Sequence, residues 1–189
     1  MAQPLARCKV IKVLFFRGDR GPFGKGVYDA LRSGLADPRQ DPTRLDCLLW
    51  AGHTGVSFDL GKTIYGFNPD GGRLRISEVI NYLESGNSLP GVVIDDTGVF
   101  QAAAARTLEV LEFDIIVPPL TFDEFEQLVN VECKGSRFRY DFPNTNGDCN
   151  CATWIERLGL PLVTGRMSEL VLVADIAAKK SRQFGACTP

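Results

Sequence analysis

The sequence predicts one α+β domain in which an antiparallel β-sheet packs against a helix that begins at Cys151. Three observations predict this class: strand-like and helical segments are interspersed, a β-hairpin pattern spans residues 48–67, and a capped helix follows a polar loop before residue 151. The chain has 189 residues, 44% of them hydrophobic, which is enough to bury one core. No segment resembles an interdomain linker.

The first half of the chain predicts a strand, a short helix and a hairpin. β-branched and aromatic residues favour the strand, and apolar residues at helical spacing favour the helix. Glycines at 52 and 55 leave room for close backbone approach around His53. The predicted bounds are a strand at 9–16, a helix around 27–31, hairpin arms at 48–58 and 63–67, and a turn at 59–62.

The second half alternates between helical and extended patterns. Thr121 and Glu124 have the spacing of a capping box, and Gly159 is a stop signal for the last helix. The remaining assignments depend on apolar periodicity and on flanking glycine and proline. They are a helix at 77–84, strands at 92–94 and 108–117, a helix from 121 to 134, an extended segment at 138–142 and the helix that begins at residue 151.

Composition and charge exclude several functions. The net charge is −2 and the basic residues are scattered among acids, which argues against nucleic-acid binding. The apolar run at 13–16 is too short to span a membrane and lacks a secretory cleavage site. We therefore expect a protein that is cytoplasmic when synthesised, and any export would use a signal-independent route.

Six cysteines are present, and we expect them to be mostly reduced because a chain with a full apolar core does not need a disulfide framework. Cys149 and Cys151 are close enough in sequence to suggest a metal site. One histidine and no second close cysteine pair argue against a four-ligand zinc centre, so we expect no metal and no organic cofactor.

Cys151 is the predicted nucleophile. Asn150 is a good N-cap, which puts Cys151 in the first turn of a helix, where free N–H groups and the helix dipole favour a thiolate. The alternative is a buried structural cysteine, but Trp154, Ile155 and Leu158 already give the helix an inward face. Cys149 competes as nucleophile from a less fixed position in the preceding loop.

His53 is the predicted base, since an imidazole beside a thiol is a common way to activate it. The third residue, which holds the imidazole in place, has two candidates. A two-residue turn at Leu60–Gly61 would pair His53 with Asn68 across the hairpin, whereas a different loop register would bring Tyr65 near.

Two short motifs resemble the circularly permuted papain-like superfamily of NlpC-type peptidases and lecithin retinol acyltransferase-like proteins. They are Gly-His-Thr-Gly-Val-Ser-Phe at 52–58 and Asn-Cys-Ala-Thr-Trp at 150–154, in the histidine-before-cysteine order of that group. The resemblance covers about residues 48–160. It implies one permuted papain-like domain over 1–189 with its core at about 47–160, and the roles of nucleophile for Cys151 and general base for His53. Family members often carry a polar residue where this chain has Tyr65.

The resemblance further implies a cysteine hydrolase of amide bonds in a peptide, an isopeptide or a peptidoglycan stem, as in a bacterial effector. Its oxyanion hole would use the backbone N–H of Cys151 and the amide of Asn146 or Asn150. Two alternatives stay open: a lipid or thioester acyltransferase, and a non-catalytic binding module that keeps the fold. The acyltransferase would benefit from a membrane-contacting apolar segment, which the sequence lacks.

Overall fold

A computed structural model describes residues 7–18, 49, 52–72, 74–75, 78–79, 81–82, 85–141, 148–159 and 181–183. The strands in this part of the chain are β1 (Lys9–Arg17), β2 (Gly52–Ser57), β3 (Tyr65–Pro69), β4 (Ser88–Asp95), β5 (Val110–Val117), β6 (Arg139–Asp141) and β7 (Ser181–Gln183). The helices with defined bounds are α1 (Thr97–Ala105), α2 (Pro119–Lys134) and α3 (Cys151–Arg157).

The strands form one sheet in the order β6-β4-β3-β2-β1-β5-β7. Every neighbouring pair from β6 to β5 is antiparallel, and β7 pairs with β5 in parallel. This arrangement of a mainly antiparallel sheet with helices on its faces confirms the predicted α+β class.

Strand β1 lies inside the sheet and divides its side chains between two layers, because successive residues of a strand point to opposite faces. Val13 and Phe15 belong to the larger core, which also contains buried residues of α2 and α3. Leu14 and Phe16 belong to a second core that includes buried residues of α1. The sheet therefore has helices on both faces.

Helix α3 is anchored to the sheet by its apolar face. Trp154 is fully buried and stacks on Phe67 of β3, with ring centroids 5.6 Å apart and an interplanar angle of 12°. Ile155 and Leu158 are buried in the same core. This inward face is the one predicted from the sequence, and it fixes the helix so that its first turn lies beside strands β2 and β3.

The hairpin has the register predicted for a two-residue turn at Leu60–Gly61. Gly55 pairs with Gly66 and Val56 with Tyr65, and both turn residues have positive φ, 62° at Leu60 and 92° at Gly61. The paired stretch is short. His53 and Asn68 lie beyond its end: β2 and β3 do not pair with each other there, while β2 stays paired with β1 and β3 with β4.

The structure differs from the predicted elements at three places. Helix α1 was not predicted, because its residues were read as part of a strand-like region. The capping box at Thr121 was wrong: α2 begins at Pro119, with Pro118 as N-cap and no capping side chain, because proline already has the φ that a first turn needs. Leu49 is helical rather than part of the first hairpin arm.

Other assignments hold with small shifts in their bounds. Strands β1, β4 and β5 lie where extended patterns predicted them, and α3 ends before Gly159, which has a φ of 95°. The described part of the predicted 77–84 helix is helical at positions 78, 79, 81 and 82. The helix predicted around 27–31 lies outside the described residues.

The cysteines depart from the expectation in one respect. Cys133, Cys149 and Cys151 are free thiols, but Cys8 is disulfide-bonded, so the expectation of reduced thiols was wrong at that position. A disulfide requires only that tertiary structure bring two cysteines to the right separation, which spacing in the sequence does not reveal.

No helix in the described ranges is long and apolar enough to cross a membrane.

Candidate active site

Cys151 is the first residue of α3, as predicted from Asn150. The Asn150 side-chain Oδ1 accepts hydrogen bonds from the backbone N–H groups of Ala152 (3.0 Å) and Thr153 (2.9 Å). Thr153 Oγ1 in turn accepts from the Asn150 N–H at 2.9 Å, which completes a capping box. The cap fixes the position of the Cys151 backbone, and the sulfur belongs to a half-buried residue at the open end of the helix.

The segment before the cap is also fixed. Cys149 donates its N–H to the Arg139 carbonyl at 3.0 Å and accepts at its own carbonyl from the Asp141 N–H at 2.8 Å. These two bonds tie it to β6 at the edge of the sheet. The backbone that leads into Cys151 is therefore held on both sides of Asn150.

His53 extends from the start of β2, where it is buried with 1% of its surface exposed. Its ring contacts Phe100 of α1, with centroids 5.9 Å apart, and its main-chain neighbour in the sheet is Phe16. The Cys151 side chain lies close enough to the imidazole to raise the pKa of His53. The structure thus brings together the two residues that the sequence predicts as nucleophile and base, although they are separated by 98 positions (151 minus 53).

Asp96 contacts the other side of the imidazole. His53 Nε2 lies 2.8 Å from Asp96 Oδ2, and both side chains are buried. Because Nε2 faces the carboxylate, Nδ1 is the ring nitrogen available to the Cys151 sulfur. A carboxylate at this position fixes the orientation of the ring and stabilises its protonated form.

The carboxylate of Asp96 does not cap helix α1, although Asp96 occupies the N-cap position of that helix. Asp96 is the N-cap of α1, yet its side chain makes no capping hydrogen bond. The neighbouring Asp95 does this instead, accepting from the Thr97 N–H at 2.9 Å and from Thr97 Oγ1 at 2.5 Å. Two adjacent aspartates therefore have different tasks: one caps the helix and the other contacts the imidazole.

Gly66 of β3 makes room for this contact. A Cβ atom on Gly66 would lie closer than 3.0 Å to both Asp96 Oδ2 and His53 Nε2. The hydrogen bond between the two side chains therefore passes directly over the Gly66 Cα atom. Only glycine leaves this space open. The requirement for glycine at position 66 therefore comes from the contact between His53 and Asp96 and not from a turn.

Asn68 lies next to this pair but does not contact the imidazole. Its Nδ2 donates to Asp96 Oδ2 at 2.8 Å and to the Gly66 carbonyl at 3.2 Å. The hairpin register that suggested Asn68 is correct, but the residue that holds the ring is Asp96. Asn68 instead holds the carboxylate.

The electrostatics of the site favour a charged imidazole. Burial by itself would lower the pKa of His53, but hydrogen bonds and charge interactions with Asp96 and Cys151 outweigh it. Together they raise the pKa of His53 from 6.5 to about 9. The ring therefore carries a proton below about pH 9, where it lies between a carboxylate and the sulfur of Cys151.

Cys149, the competing nucleophile, is in a different environment. It is buried, and burial is the main reason that its pKa rises to about 11. Asp148 and Glu132 raise that pKa further, while Arg157 opposes them. Cys149 is therefore a neutral thiol at neutral pH, and the geometry favours Cys151 as the reactive cysteine.

Tyr65 is not part of the constellation. It pairs with Val56 and Asp95 in the sheet, and its side chain packs against the larger core. Tyr65 and Asn68 are three positions apart on β3, so they point to opposite faces of the sheet.

Two asparagines were predicted as donors of the oxyanion hole. The Asn150 side chain uses its oxygen for the helix cap, and Asn146 lies outside the described residues.

Asp96 is the site residue that sequence reasoning missed. It was missed because α1 was missed: strands were predicted at 92–94 and 108–117, and no helix was assigned between them. A signal was present. The pair Asp95–Asp96 followed by Thr97 and the alanines at 102–105 has the pattern of a helix start.

Comparison of the chain with protein-family models, with curated proteins and with solved structures gives no match. Among the described residues, no group of three or more histidine, cysteine, aspartate or glutamate side chains is arranged to hold a metal ion. The function is therefore argued from the geometry of the site.

Proposed function

We propose that this protein is a cysteine-dependent hydrolase of amide bonds with a permuted papain-like fold. Cys151 is the nucleophile, His53 the general acid and base, and Asp96 the residue that orients the imidazole. One observation carries the proposal: the only histidine of the chain contacts a buried carboxylate on one side and a thiol at a helix start on the other.

The chemistry follows from this arrangement. The Cys151 thiolate attacks the carbonyl carbon of the amide, and the tetrahedral intermediate collapses as the carbon–nitrogen bond breaks. The imidazolium of His53 gives its proton to the departing amine, which leaves a thioester on the sulfur and a neutral ring. Water then attacks the thioester carbonyl while His53 takes one of its protons, and the carbon–sulfur bond breaks, which releases the carboxylic acid and restores the thiolate and the imidazolium.

The helix start also supports an oxyanion hole. The Asn150 cap uses the N–H groups of Ala152 and Thr153 and leaves that of Cys151 for the developing negative charge. The side-chain oxygen of Asn150 caps the helix, so its amide nitrogen is left to donate the second hydrogen bond to the oxyanion. Both donors belong to residues at the start of α3, where Cys151 is the first helical residue.

Replacing Asn150 with serine tests this donor. Serine is as good an N-cap as asparagine but has no amide nitrogen, so we expect an unchanged free energy of unfolding and a loss of hydrolysis of about 10²–10³-fold. Asn150→Ala is the matched variant, because it also removes the cap and should cost about 1 kcal/mol of stability. Full activity in Asn150→Ser would exclude the Asn150 amide from the oxyanion hole.

The substrate class comes from the sequence resemblance, which implies amide bonds of a peptide, an isopeptide or a peptidoglycan stem. The thiol–imidazole pair itself supports acyl chemistry in general. A small hydrolase of this kind suits an effector that cuts cell-wall stems or host proteins, and those substrates are the first to assay.

The proposal is tested without a known substrate by measuring how fast iodoacetamide alkylates each cysteine between pH 5 and pH 9. Mass spectrometry of the peptides assigns the rates. We expect Cys151 to react well below pH 8, because an imidazolium partner favours the thiolate. His53→Ala should reduce this rate about tenfold or more at pH 6, since the thiolate then loses its charged partner.

The other free thiols are internal controls in the same sample. Burial raises the pKa of Cys133, with Glu132 adding to the effect, and it raises that of Cys149 to about 11. Both should react slowly at neutral pH and should not respond to His53→Ala. If Cys151 reacts as slowly as Cys133 in the unmodified protein, the hydrolase proposal fails, and a binding module is the better account.

A further inference from the structure

The environment of Asn68 is not explained by the three residues of the proposed reaction. Asn68 is buried, and its Nδ2 donates to the same carboxylate oxygen, Asp96 Oδ2, that contacts His53 Nε2. The two distances are equal at 2.8 Å. One oxygen atom thus accepts hydrogen bonds from both sides, from the imidazole and from the amide.

The oxygen end of the Asn68 amide has no partner among the residues that the structure describes. Its Oδ1 is buried and accepts no hydrogen bond in the described part of the chain. A buried polar atom without a partner costs free energy, and an aliphatic side chain of the same size would avoid this cost. Stability therefore does not account for asparagine at this position, whereas the amide donor to Asp96 does.

The Asp96 carboxylate could also adopt a second orientation, toward the N–H groups at the start of α1. Asp96 is the N-cap of α1, and an aspartate in that position ordinarily turns its side chain toward the first N–H groups of the helix. In this protein it faces His53 instead, and the bond from Asn68 lies on the side of the imidazole. The amide thus holds the carboxylate in the orientation that serves the ring.

We infer that Asn68 is a positioning residue that keeps the Asp96 carboxylate on His53 and away from the α1 cap, which extends the site to a chain of four: Cys151, His53, Asp96 and Asn68. This inference rests on the proposed function for its catalytic meaning. Its structural part, the control of Asp96 by Asn68, is independent of the chemistry at Cys151.

The single histidine gives a direct measurement of this effect. In protein labelled with ¹⁵N-histidine, the imidazole signals belong to His53 alone, and their pH dependence reports both its protonation and its tautomer. In the described residues, the ionisable groups that act on His53 are Asp96 and Cys151. A movement of the Asp96 carboxylate therefore changes the titration. Because unfolding would also return the midpoint toward 6.5, the titration is compared between proteins with the same free energy of unfolding.

Asn68→Leu removes the donor and the unpaired oxygen together while keeping the volume. We expect the titration midpoint of His53 to move from about 9 toward 6.5, since the ring loses a fixed partner. The alkylation rate of Cys151 should fall roughly 10- to 100-fold, the equivalent of losing one hydrogen bond to a charged group. Asn68→Ala is smaller and serves the same purpose if leucine prevents folding.

A double-mutant cycle with Asp96→Asn separates positioning from an independent effect. If Asn68 acts through Asp96, adding Asn68→Leu to Asp96→Asn should change the alkylation rate by less than about twofold. An unchanged His53 titration in folded Asn68→Leu or Asn68→Ala overturns the inference, as does an additive cycle. Slow alkylation of Cys151 in the unmodified protein would instead remove the hydrolase proposal, while the His53 titration would still decide the role of Asn68.

Discussion

Replacing Asp96 with asparagine is expected to reduce the activity of the protein by about 10²–10⁴-fold while leaving the fold intact. The amide is nearly isosteric with the carboxylate, so the packing around His53 is retained. It has no negative charge, however, and cannot stabilise an imidazolium. Hydrolysis and alkylation of Cys151 should both slow, because in the proposed mechanism both depend on a protonated His53 beside the sulfur.

Asp96→Asn should also lower the pH at which His53 loses its proton. Asp96 and Cys151 raise the pKa of His53 to about 9 against the effect of burial, so in the unmodified protein the ring loses its proton as the pH rises through about 9. Without the charge of Asp96, the proton should be lost at lower pH, and the alkaline limb of the activity profile should move down with it. NMR titration of His53 measures this shift directly.

Asp95→Asn is the matched control for Asp96→Asn. It removes the same charge one residue away, and asparagine can still cap α1 through its side-chain oxygen. We expect the His53 titration and the reactivity of Cys151 to stay close to those of the unmodified protein. An equal effect of both variants would mean that net charge, rather than the contact between Asp96 and His53, controls the imidazole.

Gly66→Ala is expected to inactivate the site by steric exclusion. The added methyl group would overlap Asp96 Oδ2 and His53 Nε2, so the hydrogen bond between them cannot form in its present geometry. Displacement of catalytic groups by about 1 Å commonly costs about 10²-fold in rate. The alkylation rate of Cys151 in Gly66→Ala should therefore approach that in Asp96→Asn.

Two other glycines separate this effect from changes in stability. At Gly98 in the first turn of α1 an added Cβ meets nothing within 4 Å, so Gly98→Ala should keep full reactivity and add about 0.5–1 kcal/mol of stability. At Gly91 the Cβ would overlap the Phe67 ring, so Gly91→Ala should lower the free energy of unfolding and shows how far a loss of core packing alone changes the alkylation rate. A Gly66→Ala protein that alkylates normally would mean that the contact between Asp96 and His53 is not required.

The comparison between sequence and structure is clearest at α3. The cap at Asn150, the stop near Gly159 and the inward face around Trp154 were all predicted, and the structure has them. Each depends on residues within a few positions of one another, because capping and helical periodicity act over one or two turns. Patterns of this range are visible in a sequence.

The β2–β3 hairpin was predicted in part from the sequence. The observed register is one of the two that the sequence allowed, the one with a two-residue turn at Leu60–Gly61. The short extent of the paired stretch was not predictable. Beyond Gly55 and Gly66 the two arms stay paired with β1 and β4 on their outer edges but no longer pair with each other.

The sequence by itself therefore determined the α+β class, the helix start at Cys151 and the hairpin that carries His53, and it left two registers for the arms of that hairpin. The tertiary structure alone decided which group holds the imidazole. Asp96 is 43 residues from His53, and its carboxylate reaches the ring because β3 and β4 pair side by side and Gly66 leaves space above the sheet. Contacts of this range follow from how strands are ordered and packed, which no local pattern encodes.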